Sequence, residues 1–202
     1  CENSAVVVVI DRSTHKVVDA IDSGSTNGHR LIIAPDGKRL YTENEEDGAV
    51  SIIDLPARKL LGKIKTPEAL AGITIAGDNR TIVVVSDETP SIFLIDAEKG
   101  EVSQKIPLQG APKPAQIARY KDDYSVLAVS AVGGDTLTLF YGGFDDQTTL
   151  TLGSHPMDMV FHGNDLFVAC QGDGSVHVVD LPLRAVRKVF QAGKGCESLG
   201  FF

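Results

Sequence analysis

Tryptophan is absent from this 202-residue chain, and methionine occurs only twice. Long apolar runs are missing as well. The longest, Ala5 to Ile10, falls far short of the roughly twenty residues that carry a helix across a bilayer. It is also shorter than a secretion h-region and lacks the cationic start of one, so no membrane span and no targeting segment is visible. Cysteine is scarce: Cys1, Cys170 and Cys196 stand in no CxxC or CxxCH spacing, which excludes a disulfide framework and leaves at least one thiol without an internal partner. Positive charge is in deficit, with 19 Lys and Arg against 27 Asp and Glu and a net charge of −8. Phosphate backbones and anionic lipids repel such a chain on average, and no basic stripe offsets this, so nucleic acid is not expected as a partner. A 3.6-residue apolar period is nowhere sustained over ten residues, so helices are not expected. Phosphate loops, dinucleotide fingerprints and a Gly-x-Ser-x-Gly nucleophile elbow are absent too.

What remains is 43% apolar, rich in β-branched residues and punctuated by 20 glycines, the composition of a turn-rich all-β protein. An apolar run ending in Asp recurs at Asp11, Asp54, Asp96 and Asp180, spaced by 43, 42 and 84 positions. The missing copy falls in "DTLTLFY", residues 135–141, where the Asp has been lost. A polar turn returns at the same interval: Asp36-Gly37, Gly77-Asp78-Asn79, Asp122-Asp123 and Gly163-Asn164. Two landmarks sharing one period of about 42 residues mark a repeat architecture. Within a period the pattern is four short strands, as in "RLIIA", "RLYTEN", "AVSIIDL" and "RKLLGKI", with Pro56 separating the last two. Four strands every forty-odd residues predict an all-β fold, a β-propeller of four-stranded antiparallel blades. A β-sandwich would explain the strand spacing but not the long period.

Full blades are expected over 30–65, 70–107, 114–152 and 157–191, with partial blades over 1–22 and 195–202. A closed ring of these pieces would lack one strand and expose unpaired backbone groups, so the chain is expected to be a fragment of a larger, seven-bladed ring. Cys1 stands ten residues before Asp11, as Cys170 stands before Asp180. It is therefore expected to end a blade strand rather than to carry the lipid of a lipoprotein.

The stretch "LYTENEEDGAVSIIDLPARKLLGKI", residues 40–64, resembles the YVTN repeat. Tyr41-Thr42-Glu43-Asn44 stands at the family's four-letter strand end, after the turn "APDGKR" at residues 34–39. "VVVSD", "LAVSA" and "FVACQ" are degenerate copies in the other periods. The resemblance is to the YncE-like propellers, within a wider group that includes haem d1-type nitrite reductases, quinone-cofactor amine dehydrogenase subunits and lactonases. It implies a periplasmic or extracellular location. The WD40 family is excluded, because its Gly-His and Trp-Asp signature is missing.

His29 and His155 lie 126 residues apart, three periods of 42, and so occupy one position on two blades, the start of the innermost strand at the channel mouth. Ala71, Lys113 and Glu197 fill that slot elsewhere, and Cys196 lies beside it. Histidine there suits a metal, a haem or an anionic ligand, although the same place tolerates any polar side chain facing axial water. His29, His155, Lys113, Glu197 and Cys196 are the channel-mouth ligand candidates, with no catalytic or metal set among them. The acidic stretch Glu43, Glu45, Glu46, Asp47 and the pair Asp145-Asp146 lack calcium-loop spacing and are expected to be solvated strand tips. The recurring Asp series is expected to cap turns, because a residue repeated in every blade serves the blade and not one reaction.

From these residues the chain is expected to be a non-enzymatic binding module, presenting loops and channel mouth to an unidentified protein or small-molecule ligand, with no cofactor. The alternative is the propeller of a redox enzyme holding haem d1 or a quinone-type cofactor at its axis. Lactone hydrolysis is a third possibility.

Overall fold

The computed structural model describes residues 4–45, 47–120 and 125–200. The expectations for Cys1, Glu46 and the Asp122-Asp123 turn lie outside the described residues. Strands β1 (Val6–Asp11) and β2 (Lys16–Asp22) form a two-stranded antiparallel sheet. Four four-stranded sheets follow among the described residues, and in each the sheet order is the chain order. The first comprises β3 (Gly28–Ile33), β4 (Arg39–Asn44), β5 (Ala49–Asp54) and β6 (Lys59–Lys65). The second comprises β7 (Leu70–Ile75), β8 (Thr81–Ser86), β9 (Ser91–Asp96) and β10 (Glu101–Pro107). In the third are β11 (Pro114–Arg119), β12 (Val126–Ala131), β13 (Thr136–Tyr141) and β14 (Gln147–Thr151). The last holds β15 (Pro156–His162), β16 (Asp165–Cys170), β17 (Ser175–Asp180) and β18 (Ala185–Gln191). Each sheet is a propeller blade, and no helix interrupts them among the described residues.

Burial explains why the strands differ in composition. The second strands β4, β8 and β12 are buried along nearly their whole length; β8 and β12 read as continuous apolar or small runs, whereas β4 buries Thr42, Glu43 and Asn44. The fourth strands β6 and β14 alternate exposed and half-buried positions, as an outer strand with one wet face must. One expectation fails here. Residues 196–200 form no strand, where a further first strand was expected. Among the described residues no ladder joins them to a strand, and the Leu199 N–H donates to the Asp158 carboxylate at 3.0 Å.

The chain divides into two compact units, Cys1–Val84 with Phe93–Lys105, and Val85–Ile92 with Ile106–Phe202. In the first unit, Tyr41, Val50, Leu70, Ile82, Val84, Phe93 and Ile95 form the main core cluster. A smaller one gathers Ile21, Leu40 and Ile53. The second unit has its own core of Val126, Leu137, Leu139, Leu166, Val168 and Val179. The first strands of consecutive blades adjoin within each unit, β3 beside β7 and β11 beside β15.

The turn at Asp36-Gly37 shows why the polar landmark recurs. Gly37 holds φ at +69°, its N–H donates to the Ala34 carbonyl, and the Asp36 carboxylate accepts from the Lys38 N–H. The recurring aspartates are caps. The Asp11 Oδ1 accepts from the Ser13 and Thr14 N–H groups, Asp54 from Ala57, Asp96 from Glu98 and Lys99, and Asp180 from Leu183. Two of them are held far below the ordinary value of 3.8. The Ser13 hydroxyl and its neighbours bring Asp11 to about 2, and the Arg80 guanidinium does the same for Asp96. A carboxylate whose folded pKa is depressed contributes stability above its unfolded value and loses it as pH falls through the folded one. The urea midpoint is therefore expected to hold down to about pH 4 and to fall between about pH 4 and pH 2. A midpoint unchanged at pH 2 would show that the caps carry no pH-linked stability.

Candidate functional site

β3 opens the first complete blade, and a bulge shifts its register against β4 between Gly28 and Leu31. The extra residue lets His29 lean toward β4. Its Nδ1 lies 3.3 Å from the Glu43 Oε1, with one third of the imidazole side chain exposed and the carboxylate side chain wholly buried. Glu43 stands opposite Val50 across β4–β5, on the face of the Tyr41 and Val50 core. Neither of its oxygens has a hydrogen-bond donor aligned on it. Burial pushes the Glu43 carboxyl up, because removing a carboxylate from water disfavours the charged form. The Glu43 carboxylate in turn raises His29 against the opposing effect of burial. A buried acceptor with no aligned donor is expensive, and groups perturbed in this way cluster at functional sites. Exposure alternates along β3, and Leu31 and Ile33, 52% and 50% exposed, follow His29 on the open positions.

This corrects the expectation for Glu43, which belongs to strand β4 and not to a solvated loop tip. The misreading came from its acidic neighbours. A comparison of the four second strands could have found it, since their fifth residues are Glu43, Val85, Ser130 and Ala169, all fully buried. Of the other acidic positions, Asp47 pairs with the Lys63 Nζ at 3.1 Å, and Asp146 takes both guanidinium ends of Arg184 at 2.5 and 2.7 Å. No group of three or more His, Cys, Asp or Glu among the described residues is placed to hold a metal ion.

The remaining candidates lie in the second unit. His155 precedes β15, whereas His29 is the second residue of β3, which corrects the expectation that the two share one position; Met157 matches His29. His155 has φ at +55°, its backbone N–H donates to Asp135 Oδ1, and its Nδ1 meets the Ser154 hydroxyl at 2.9 Å. No buried carboxylate backs it. Lys113 is exposed, also at positive φ, and its carbonyl accepts from the Val132 N–H. Cys196, a free thiol, and the exposed Glu197 belong to no strand, which corrects their placement on an inner strand. No hydrogen bond or ion pair among the described residues joins these four to one another. A cleft of about 520 Å³ in the first unit, lined by Lys38, Arg39, Tyr41, Lys63 and Lys99, includes neither His29 nor Glu43.

Comparison with known proteins sets the site in a family. Residues 2–133 match the family model described as the cytochrome D1 heme domain, a stretch that includes His29, Glu43 and Lys113 but not His155, Cys196 or Glu197. No curated protein sequence matches the chain. Among solved structures it is similar to the Kuenenia stuttgartiensis hydrazine synthase, with a TM-score of 0.73 and 20% identity over 89% of this chain. It is also similar to a functionally unknown protein from Desulfotomaculum acetoxidans DSM 771, with a TM-score of 0.78 and 14% identity over 96% of this chain. At those identities the likeness shows the propeller fold alone. The chain spans 58% of the first structure's chain and 65% of the second's. The family match overturns the expectation that no cofactor belongs here, and it shows the wider heme propeller group without the narrower YVTN assignment. The chain belongs to the cytochrome D1 heme domain family.

Proposed function

We propose that this chain is the heme-holding propeller of a redox protein, in which His29 would hold the iron. The observation that carries this is the His29–Glu43 pair. An imidazole stands at an open strand position, and its Nδ1 faces a wholly buried carboxylate with no other aligned donor. The other ring nitrogen, Nε2, is the one left for a metal, and imidazole is a common axial ligand of heme. Leu31 and Ile33 further along the strand match Ile73 and Ile75 of β7, which are buried, so they are blade-packing positions and the fit rests on the imidazole and its carboxylate. That donor set fits the group that the family implies. A heme bound there supplies an iron that changes its charge by one electron. His29 would hold it, and Glu43 would orient the imidazole. A periplasmic location is part of the same proposal and rests on family resemblance.

The binding-module reading gains nothing from the family match, and a quinone-type cofactor or a lactone substrate has no residue set in the described structure to favour it. The deciding experiment is titration of the full chain with heme d1, followed by visible absorbance. Saturable uptake at one heme per chain is expected. A spectrum that stays the sum of free heme and protein at every ratio overturns the proposal.

A further inference from the structure

We infer that Glu43 is a positioning residue for His29: its buried carboxylate takes the Nδ1–H as its hydrogen-bond donor, fixes the imidazole in that tautomer and leaves the Nε2 lone pair for the iron. This rests on the heme proposal above for its ligand, but the tautomer itself is a property of the chain alone. An ionised carboxylate only accepts hydrogen bonds, and Glu43 is 0% exposed with both oxygens lacking an aligned donor. Among the described residues the ring nitrogen paired with it is His29 Nδ1, at 3.3 Å. A neutral imidazole has one N–H, so placing it on Nδ1 decides which nitrogen keeps a lone pair. Histidines that bind metals commonly donate their other ring N–H to a carboxylate, which sets the ring's orientation and basicity.

The repeat supplies an internal control. The fold does not require a carboxylate at this register, because Val85, Ser130 and Ala169 fill it in the other blades and are equally buried. The second residue of the first strand, where His29 stands, is Ala71, Ala115 and Met157 in the other blades. The blade with the buried Glu is the one with a His at the facing position. A costly charge that the blade can replace with valine has its explanation in the residue it touches.

The test uses Glu43→Val and Glu43→Gln in the full chain. Nitrogen-15 NMR of the imidazole, recorded without heme at alkaline pH where the ring is neutral, reads the tautomer directly. The wild type is expected to hold Nδ1–H, Glu43→Val to shift toward the Nε2–H form of an unpartnered ring, and Glu43→Gln to retain part of the effect through its amide oxygen. Thermal melting is expected to be unchanged or raised in Glu43→Val, because an unsatisfied buried acceptor is gone and valine is tolerated at Val85. Heme d1 affinity is nevertheless expected to fall by about 10- to 100-fold in Glu43→Val and by less in Glu43→Gln. A tautomer insensitive to Glu43→Val overturns the inference whatever the heme result. A tautomer that shifts while affinity stays within about twofold overturns the ligand-positioning role, since outer partners of this kind normally cost tenfold or more. A wild type that takes up no heme overturns the heme proposal, and the tautomer measurement still decides what Glu43 does to the ring.

Discussion

Replacing His29 with alanine is expected to abolish stoichiometric heme uptake, the largest functional effect of any single substitution in this chain. The reason is the shape of the site: one imidazole stands at an open position of β3, and its inner nitrogen is already committed to Glu43. Removing an outer-shell partner costs roughly 10- to 100-fold in metal affinity, so removing the ligand itself is expected to cost more than that. The truncation also leaves the buried Glu43 carboxylate without its partner, so a lower melting midpoint is expected as well, and the double variant His29→Ala/Glu43→Val is expected to restore the midpoint but not the uptake. Heme d1 titration followed by absorbance reads the first effect, and thermal melting reads the second. Uptake that survives His29→Ala but disappears in His155→Ala would move the ligand to the other histidine and overturn the assignment.

Phe93→Ala is expected to be the most destabilising single truncation, at about 3–5 kcal/mol. Phe93 is 0% exposed in β9 and belongs to the core shared by two blades of the first unit, together with Tyr41, Val50, Leu70 and Ile95. Its ring also lies under the Lys105 ammonium, with Nζ 5.3 Å from the centroid. The third residues of the other third strands, Ser51, Thr138 and His177, are smaller or polar, so this blade fills the layer with one large ring where its neighbours do not. Truncation removes dispersion contacts and leaves a cavity that flanking strands, held by their ladders, close only in part. For a chain of this length each kcal/mol moves the midpoint by roughly 2–4 °C, so a fall of roughly 6–20 °C is expected in a thermal scan. Leu61→Ala, at a position 52% exposed, should move it little. A Phe93→Ala midpoint within about 2 °C of the wild type would show that the layer repacks, contrary to this account.

The blades were legible in the sequence because each repeats the same local demands. A turn at Asp36-Gly37 needs positive φ, a cap at Asp54 needs an acceptor for free N–H groups, and a second strand buried on both faces, such as β8, favours an apolar run. Such requirements are met by residues close together in the chain, so they appear as a period. His29 was picked out by its spacing of three periods from His155, although the strands place the two histidines at different positions. The tail was misread because "CESLGFF" carries strand-like residues, while a strand also requires a partner ladder that no local pattern records.

Glu43 marks the boundary between the two kinds of information. By itself the sequence determined the fold class, the strand order and the turn chemistry, because periodicity and short-range hydrogen bonding fix them. Its acidic neighbours made Glu43 look solvated, and only the tertiary structure decided that it is buried behind His29. A bulge of one residue in β3 brings the two side chains together across strands 14 positions apart in the chain. Burial and pairing at that distance are properties of the packed blade, and they turn one histidine among five into the candidate ligand.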